Sequence, residues 1–287
     1  MRRISGERSI GHAGTLDPRA TGLLVLMLGR ATRIATLLTG HTKSYDATIR
    51  FGFATTTDDA DGEPLEMGRW GDGEMGRWGS AVSDAAIRQA LDATVGPFEQ
   101  LPPRYSAKRV DGKKAYDLAR QDKPMELKRA SVALHEWTWL GREGDLLHLN
   151  MSVSAGFYVR SLARDLGEAL GCPAHLEALR RTRSGPFDLL QAVPLAEAER
   201  LGSGIESHLI PMADALAELP SIQLSEAGLI KVRVGNPIGP QLVEGAWVPA
   251  SDQVRKIRLL GPGGALIALA DLRGGLLHPS TVLAEPG

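Results

Sequence analysis

Residues 11–22 read Gly11-His12-Ala13-Gly14-Thr15-Leu16-Asp17-Pro18-Arg19-Ala20-Thr21-Gly22, and the apolar run LLVLML follows at once at 23–28. The glycines of this stretch allow tight or left-handed backbone. Pro18 fixes its own φ and moves Asp17 out of the helical region. A short apolar run bounded by glycines is typical of a buried strand. The stretch therefore predicts a rigid, non-helical loop that holds Asp17 and leads into a strand of the core.

The loop alone leaves two interpretations of Asp17 open. An Asx-Pro pair commonly starts a turn, so the carboxylate could serve only to close that turn. A carboxylate on a fixed loop over a packed scaffold could instead be a nucleophile, because reacting groups are usually presented in such loops. Without further information, the residue types favour the turn.

Length and composition limit the number of domains, the kinds of partner and the cellular location that we expect. A chain of 287 residues has room for one large domain and a small one. The formal net charge of −1 gives no global sign of a nucleic-acid partner, so an RNA site must be a local patch. Cys172 is the only cysteine, which excludes an intrachain disulfide and a thiolate metal cluster. The sequence shows neither a secretory signal nor a bilayer-spanning run, so we expect a cytoplasmic protein with no membrane partner.

Hydrophobic periodicity places the main elements. Apolar and polar residues alternate from Tyr45 to Phe53, which predicts a half-buried strand. Ser83 is a typical N-cap before an apolar helical face that ends at Gly96-Pro97. The remaining predictions are a short helix over 30–38, strands over 132–140 and 147–153, a helix over 159–170, and several short strands after Pro220.

Two loops and a basic segment stand out from this pattern. The acidic run TTTDDADG at 55–62 predicts a turn, and without EF-hand spacing we predict no metal site there. The unit EMGRWG occurs at 66–71 and again at 74–79, which predicts a glycine-rich loop insertion over 66–80. Residues 104–129 hold nine Lys or Arg and four Asp or Glu. Such a run is usually a solvated surface, but it also suits phosphate binding.

The stretch at 11–22 resembles the G-H-x-G-T-L-D-P-x-A-T-G signature of the TruB family of RNA pseudouridine synthases at every specified position. Further matches to the family's motifs lie at KSY (43–45), PRYSAKRVDGKKAY (103–116), GFYVR (156–160) and AHLEALRRT (174–182). In the acidic loop, Thr56 replaces the Asp that the family usually has. The resemblance extends firmly to about residue 211 and only loosely beyond it.

This resemblance implies a role for particular residues. Asp17 would be the catalytic nucleophile, Arg160 would pair with it, and Tyr45 would be a candidate general base. An arginine beside a carboxylate favours its charged form and can aim it through a two-point fork. His175 is expected to be structural. The implied substrate contacts are His12, Tyr45, Tyr158 and Leu179, and the implied RNA contacts are Arg104, Lys108, Arg109, Lys113 and Lys114.

The resemblance also implies the fold, which is α+β. A pseudouridine synthase domain over 1–215, with a mixed, mostly antiparallel central sheet flanked by helices, would carry a basic RNA-binding insertion over 98–130. A small PUA-like β domain would follow over 216–287. The family has a further strand upstream of the motif, which is missing here, so we expect a coding start upstream of Met1.

The implied activity is isomerisation of the T-loop uridine at position 55 of tRNA. Such a reaction oxidises nothing and transfers no phosphate, so we expect no cofactor and no metal. The expected partner is the T stem-loop of tRNA, bound by a monomer without an obligatory protein partner. The alternative is a catalytically impaired RNA-binding or tRNA-folding module of the same fold, which the missing upstream strand favours.

Overall fold

The structure is a computed structural model that describes residues 1–65, 82–105, 127–247 and 256–284, together with the backbone of Arg109–Val110 and Lys113–Lys114. The chain forms two compact units. One comprises Met1–Gly11, Leu26–Thr36 and Val193–Gly287, and the other comprises His12–Val25 and Leu37–Ala192. In the described ranges, no helix is long and apolar enough to cross a membrane. The division into domains at 215/216 stays a prediction.

The elements are numbered along the chain. The helices are α1 (Arg2–Ser5), α2 (Ala35–Thr39), α3 (Asp84–Thr94), α4 (Val159–Ala169), α5 (Leu195–Leu201), α6 (Met212–Ala215) and α7 (Glu226–Arg233). The strands are β1 (Ile10–His12), β2 (Thr21–Gly22), β3 (Leu26–Leu28), β4 (Lys43–Phe51), β5 (Gly96–Gln100), β6 (Arg109–Val110), β7 (Lys113–Lys114), β8 (Ala130–Glu143), β9 (Leu146–Val153), β10 (Ala174–Ser184), β11 (Phe187–Asp188), β12 (Ser221–Leu224), β13 (Val243–Glu244), β14 (Ile257–Leu260), β15 (Leu266–Arg273) and β16 (Leu276–Val282).

A seven-stranded sheet forms the centre of the second unit. Its strands lie in the order β11-β10-β4-β9-β8-β5, and β2 pairs with β10 outside this path. Neighbours along the path are antiparallel, whereas β2 runs parallel to β10. The prediction of a mixed, mostly antiparallel central sheet is confirmed.

The core of this unit brings together the central strands and two helices. Side chains of β4, β8 and β9 form one buried cluster with side chains of α3 and α4. Ser83 caps α3 as predicted, since its hydroxyl accepts from the Ala86 amide at 3.2 Å. Helix α4 packs tightly on β10, because a Cβ at Gly167 would lie 2.7 Å from the Ala174 amide nitrogen. This packing fixes the start of α4, where Tyr158 and Arg160 lie.

The other unit contains a five-stranded sheet in the order β13-β12-β14-β15-β16. β12 and β14 are parallel, and the remaining pairs are antiparallel. Helix α7 lies within this segment and contributes Val232 to the cluster of buried side chains. The prediction of several short strands after Pro220 is confirmed, although the periodicity gave no sign of α7.

Two local predictions need correction, and one strand was not predicted. The run at 23–28 is not one strand: β2 ends at Gly22, β3 begins at Leu26, and Leu24 between them is 40% exposed. The strand is interrupted between β2 and β3. At this point the Leu23 amide donates to the carbonyl of Arg181 in β10. The helix predicted over 30–38 begins as a 3-10 helix at Gly29–Ile34 before α2. Strand β10 had no prediction, because charged residues break its alternation.

Candidate active site

The loop that carries Asp17 is attached to the edge of β10. Gly22 lies opposite Arg181 in the parallel pairing of β2 with β10. Its φ is +91°, and a Cβ there would lie 2.2 Å from the Arg181 carbonyl oxygen. Only glycine allows this approach, since it lacks a Cβ and adopts positive φ readily. Within the loop, the Ala20 amide donates to the Asp17 carbonyl at 2.9 Å, which closes a turn around Pro18.

The Asp17 carboxylate is held by Arg160 through a two-point fork. Nε of Arg160 donates to Oδ2 at 3.0 Å, and Nη2 donates to Oδ1 at 2.7 Å. The Arg160 side chain is 5% exposed, whereas that of Asp17 is 34% exposed. Such a bidentate pair fixes the plane of the carboxylate as well as its position. The turn around Pro18 is thus closed by the main-chain carbonyl of Asp17, while its carboxylate is held by Arg160 and stays partly exposed. The role of that carboxylate as a nucleophile stays a prediction.

The acidic turn at 55–62 supports Arg160 from the opposite side. Nη1 of Arg160 donates to the Thr57 carbonyl at 3.3 Å and lies 3.3 Å from Oδ2 of Asp59. The Thr57 hydroxyl donates to Oδ1 of Asp59 at 2.5 Å, which orients that carboxylate. The turn is itself attached to β10, since the Ala60 amide donates to the Leu176 carbonyl at 3.0 Å. The predicted turn is confirmed, and it forms the second support of the arginine.

Tyr158 stands at the N-terminus of α4 and is held by a side chain from β5. The Gln100 side-chain amide nitrogen donates to the Tyr158 carbonyl at 3.0 Å, and the Tyr158 amide donates to Oε1 of Gln100 at 2.9 Å. Gln100 is 1% exposed. Tyr158 has no side-chain cap of its own. Gln100 thus acts as an external cap that sets the residue from which α4 begins.

Tyr45 lies opposite Arg181 in the antiparallel pairing of β4 with β10. Burial raises the pKa of the Tyr45 hydroxyl, and the charge of Asp17 also raises it, whereas the charge and hydrogen bond of Arg181 act in the opposite direction. The hydroxyl is therefore protonated at neutral pH. In this state the hydroxyl can donate a hydrogen bond. It can act as a general base only after it has lost its own proton.

Lys43 adds a second basic group beside Arg181. Its Nζ donates to the carbonyls of Thr39 at 2.6 Å and His41 at 2.7 Å. Burial and the charge of Arg181 lower the pKa of Lys43 from 10.5 to about 8. The amine is thus close to half protonated in mildly alkaline solution, which is unusual for lysine.

These residues surround a cavity of about 750 Å³ within the second unit. Predicted site residues on its wall are Asp17, Tyr45, Tyr158, Arg160 and Leu179, and Tyr105 joins them. His12 is exposed and does not appear among the described residues that line the cavity. Arg104 is exposed as well. Lys108 and the side chains of Arg109, Lys113 and Lys114 lie outside the described residues; β6 and β7 pair with Arg109 opposite Lys114.

The sequence reasoning missed four residues of this site, which are Lys43, Asp59, Gln100 and Arg181. Lys43 and Arg181 fall within matched stretches, but their residue types alone do not indicate which neighbours they bind. Arg160 lies beside Asp17 as the resemblance implies, and it is 4% exposed. His175 fits a structural role, because its Nδ1 lies 2.9 Å from the Phe53 carbonyl oxygen and its ring is buried.

Carboxylates of the acidic turn form ion pairs with arginine side chains of the same chain. Asp58 pairs with Arg164 at 2.8 Å, and Asp59 lies 3.3 Å from Arg160. Burial raises the pKa of Asp58, against the lowering effect of Arg164. Over the described residues, no group of three or more His, Cys, Asp or Glu side chains is arranged to hold a metal ion. The cavity wall carries three carboxylates, three phenols and three cationic side chains, which are those of Asp17, Asp59, Asp61, Tyr45, Tyr105, Tyr158, Lys43, Arg160 and Arg181.

Solved structures share the fold of this chain. One is described as an H/ACA RNP bound to a substrate RNA containing 2'-deoxyuridine; the match has a TM-score of 0.69 and 22% identity, over 99% of this chain and 79% of that one. Another is the archaeal box H/ACA sRNP Nop10-Cbf5 complex, with a TM-score of 0.68 and 23% identity over the same shares. At these identities the similarity concerns the fold.

Family models cover most of the chain. Residues 2–159 match the TruB family pseudouridylate synthase N-terminal domain, and residues 160–217 match the tRNA pseudouridylate synthase B C-terminal domain. Fold, site and matched models define the class as the pseudouridylate synthases, which are isomerases.

Relatives named tRNA pseudouridine synthase B narrow this assignment. That of Dinoroseobacter shibae is 39% identical over 95% of this chain and 85% of its own length. That of Thermobifida fusca is 39% identical over 99% of this chain and 92% of its own length. The chain belongs to the TruB family.

Proposed function

We propose that this protein isomerises uridine to pseudouridine in tRNA, at the T-loop uridine of position 55, with Asp17 as the nucleophile. The observation that carries the proposal is the forked Arg160–Asp17 pair, which presents an accessible carboxylate to a cavity with tyrosine side chains. The family membership and the names of the relatives support tRNA as the substrate. The motif at 11–22 supports the T-loop as the target.

The chemistry needs one carboxylate and no outside reagent. An Asp17 oxygen attacks C1′ of the uridine, the C1′–N1 bond breaks, and its electron pair leaves with N1 of the base. The base turns, C5 bonds to C1′, and the bond between Asp17 and C1′ breaks again. The proton lost from C5 balances the proton gained at N1. A hydrolytic glycosidase would need a second carboxylate, whereas here the detached base is the acceptor.

Each remaining site residue has a part in this scheme. The target nucleotide must leave its stack, which costs a few kcal/mol, and aromatic side chains can receive the flipped base. Tyr45 and Tyr158 would flank it, Leu179 would contact the uracil, and His12 would fill the vacated stack. We retain Tyr45 as a catalytic group; its raised pKa favours donation of a hydrogen bond in the resting enzyme. To serve as the base that accepts the C5 proton, Tyr45 must first give up its own.

RNA binding would rest on the basic segment at 104–129. Phosphate contacts by Arg104, Lys108, Arg109, Lys113 and Lys114 would make binding fall steeply with salt. The proposed enzyme acts in the cytoplasm as a monomer, without a cofactor or an obligatory protein partner. The alternative, an impaired RNA-binding module, gains no support from the assembled site.

Tritium release from a tRNA transcript made with 5-tritiated uridine tests the proposal. We expect release by the wild type and none by Asp17→Asn, with tRNA binding retained. Asp145→Asn is the matched control, because Asp145 pairs with Arg50 at 3.0 Å outside the cavity. A transcript with cytidine at position 55 should release no tritium above background. Full turnover by Asp17→Asn would refute the assignment of the nucleophile, and binding without release by the wild type would favour the alternative.

A further inference from the structure

We propose that Arg181 is a positioning residue for the isomerisation, which holds the Asp17 loop from both flanks and orients the Tyr45 hydroxyl toward the substrate. The inference rests on the proposed function for its catalytic consequence. The structural basis is the position of one arginine on β10. It lies against the backbone carbonyls at the two ends of the Asp17 loop and against the phenol of Tyr45, which belong to separate motifs.

Arg181 attaches both ends of the Asp17 loop to β10. Nη2 of Arg181 donates to the Gly14 carbonyl at 3.1 Å, and Nε donates to the Leu23 carbonyl at 2.7 Å. The Leu23 amide in turn donates to the Arg181 carbonyl at 2.8 Å. Gly14 precedes Asp17 and Leu23 follows it, so one residue fixes both ends of the segment that carries the carboxylate.

Arg181 also affects the direction of the Tyr45 hydroxyl. Tyr45 lies opposite Arg181 in the pairing of β4 with β10, and both residues line the cavity. A guanidinium has only donors, so in a hydrogen bond between these two side chains the phenol oxygen would accept. The hydroxyl hydrogen is then left for another acceptor. Both Tyr45 and Asp17 line the cavity. Arg181 therefore favours the orientation in which Tyr45 donates into the space where the base would lie.

Placing the Arg181 charge here has a cost. Arg181 is 1% exposed, and within the described ranges no carboxylate lies at ion-pair distance from it. Its side chain donates hydrogen bonds to the carbonyl oxygens of Leu23 and Gly14. A buried cation without a counter-ion is expensive, and an apolar residue of similar size would usually serve a core better. A cation beside the cavity becomes useful when a departing base carries negative charge, because preorganised positive groups stabilise such charge.

The test compares Arg181→Lys with wild type and with Arg50→Met. Lysine keeps the charge but cannot bind both carbonyls and the phenol at once. Arg50 is a matched control, since it lies on β4 and binds Glu177 at 2.9 Å and Asp145 at 3.0 Å outside the cavity. The first readout is single-turnover tritium release together with KM for the tRNA. The second is hydrogen exchange of peptides covering residues 14–25 in the free protein.

For Arg181→Lys we expect kcat to fall about 10²-fold, the effect of a misplaced reacting group, while KM changes less than about threefold. Exchange in residues 14–25 should become faster than in wild type. Arg50→Met should lower the melting temperature while kcat and the exchange of this loop stay as in wild type. Tyr45→Phe combined with Arg181→Lys should lose less than the product of the two single effects, because both act through the same hydrogen bond.

Three results would overturn the inference: unchanged kcat in Arg181→Lys, unchanged loop exchange, or losses that match those of Arg50→Met. If Arg181→Lys does not fold, Arg181→Gln replaces it under the same criteria, and failure of both to fold would assign Arg181 to the core alone. An inactive wild type would refute the proposed function instead. The exchange experiment would still decide whether Arg181 holds the loop.

Discussion

Arg160 and Asp17 form a planar two-point pair, with N–O distances of 3.0 and 2.7 Å, although 143 residues separate them in sequence. The arginine is itself immobilised, because Nη1 is occupied by the Thr57 carbonyl and by Asp59. The orientation of the carboxylate is thus set by α4 and the acidic turn together. Groups that must attack a defined atom benefit from such support, since small displacements reduce rates strongly.

The first prediction concerns the fork. Arg160→Lys keeps a positive charge near Asp17 but offers a single ammonium in place of two parallel N–H donors. We expect kcat for tRNA isomerisation to fall by about 10²-fold or more, with little change in tRNA affinity. Single-turnover tritium release and filter binding measure the two quantities. A variant with normal kcat would show that charge alone, and not the fork, is required.

The second prediction concerns the outer support. Asp59→Asn preserves the size of the side chain, but it removes the charge 3.3 Å from Nη1 of Arg160. We expect a loss in kcat of about 10-fold, smaller than for Arg160→Lys, because the fork to Asp17 remains. Asp145→Asn, which weakens an ion pair to Arg50, should leave kcat unchanged. Equal losses in Asp59→Asn and Asp145→Asn would place the effect of Asp59 in general stability.

Sequence reasoning goes far where one stretch holds both a motif and a clear period. Tyr45 lies at the start of an alternating run, and β4 forms there from Lys43 to Phe51. Tyr158 and Arg160 lie at the start of an apolar helical stripe, and α4 begins between them at Val159. Local preference and tertiary packing agree in these segments, so the elements that carry the site are predictable.

The sequence says less where the decisive contacts are long-range. Arg160 lies off the apolar stripe of α4, and its burial is explained by its contacts with Asp17 and with the acidic turn. Arg181 follows Arg180 in a charged run that shows no strand period, yet it is buried because carbonyls of the Asp17 loop reach it. Gln100 has no motif around it that indicates a cap on a distant helix. Pairing of β10 with β2 and β4 creates these contacts, and no local pattern encodes that pairing.

The third prediction concerns Gln100. Gln100→Leu fills a similar volume but removes both hydrogen bonds that the Gln100 side chain makes to the Tyr158 backbone. The Tyr158 carbonyl keeps its bond from the Leu162 amide at 3.2 Å. We expect the free energy of unfolding to fall by about 2 kcal/mol and KM for tRNA to rise, because Tyr158 is displaced. Gln100→Glu can accept from the Tyr158 amide but cannot donate to its carbonyl, so its effects should be intermediate.

The control for this prediction is Gln223→Leu. Gln223 also makes a side-chain bond to a backbone carbonyl, that of Gly261 at 2.9 Å, but it lies in the five-stranded sheet. It should lose stability while KM stays unchanged. Urea unfolding and steady-state kinetics measure both effects. A normal KM in Gln100→Leu, together with reduced stability, would limit Gln100 to a structural role.

The last prediction concerns pH and Lys43. Its pKa is lowered from 10.5 to about 8 by burial and by the charge of Arg181. Between these values the unfolded lysine binds a proton that the folded one has lost, so the free energy of unfolding gains up to about 3 kcal/mol as pH rises through that interval. Below pH 8 the penalty for holding the charged amine is fully present. Lys43→Met should lose this pH-dependent gain, whereas Arg50→Met, which removes a cation that does not titrate there, should keep it. Urea unfolding between pH 7 and pH 10.5 measures the difference, and parallel curves for wild type and Lys43→Met would show that the amine titrates as it does in water.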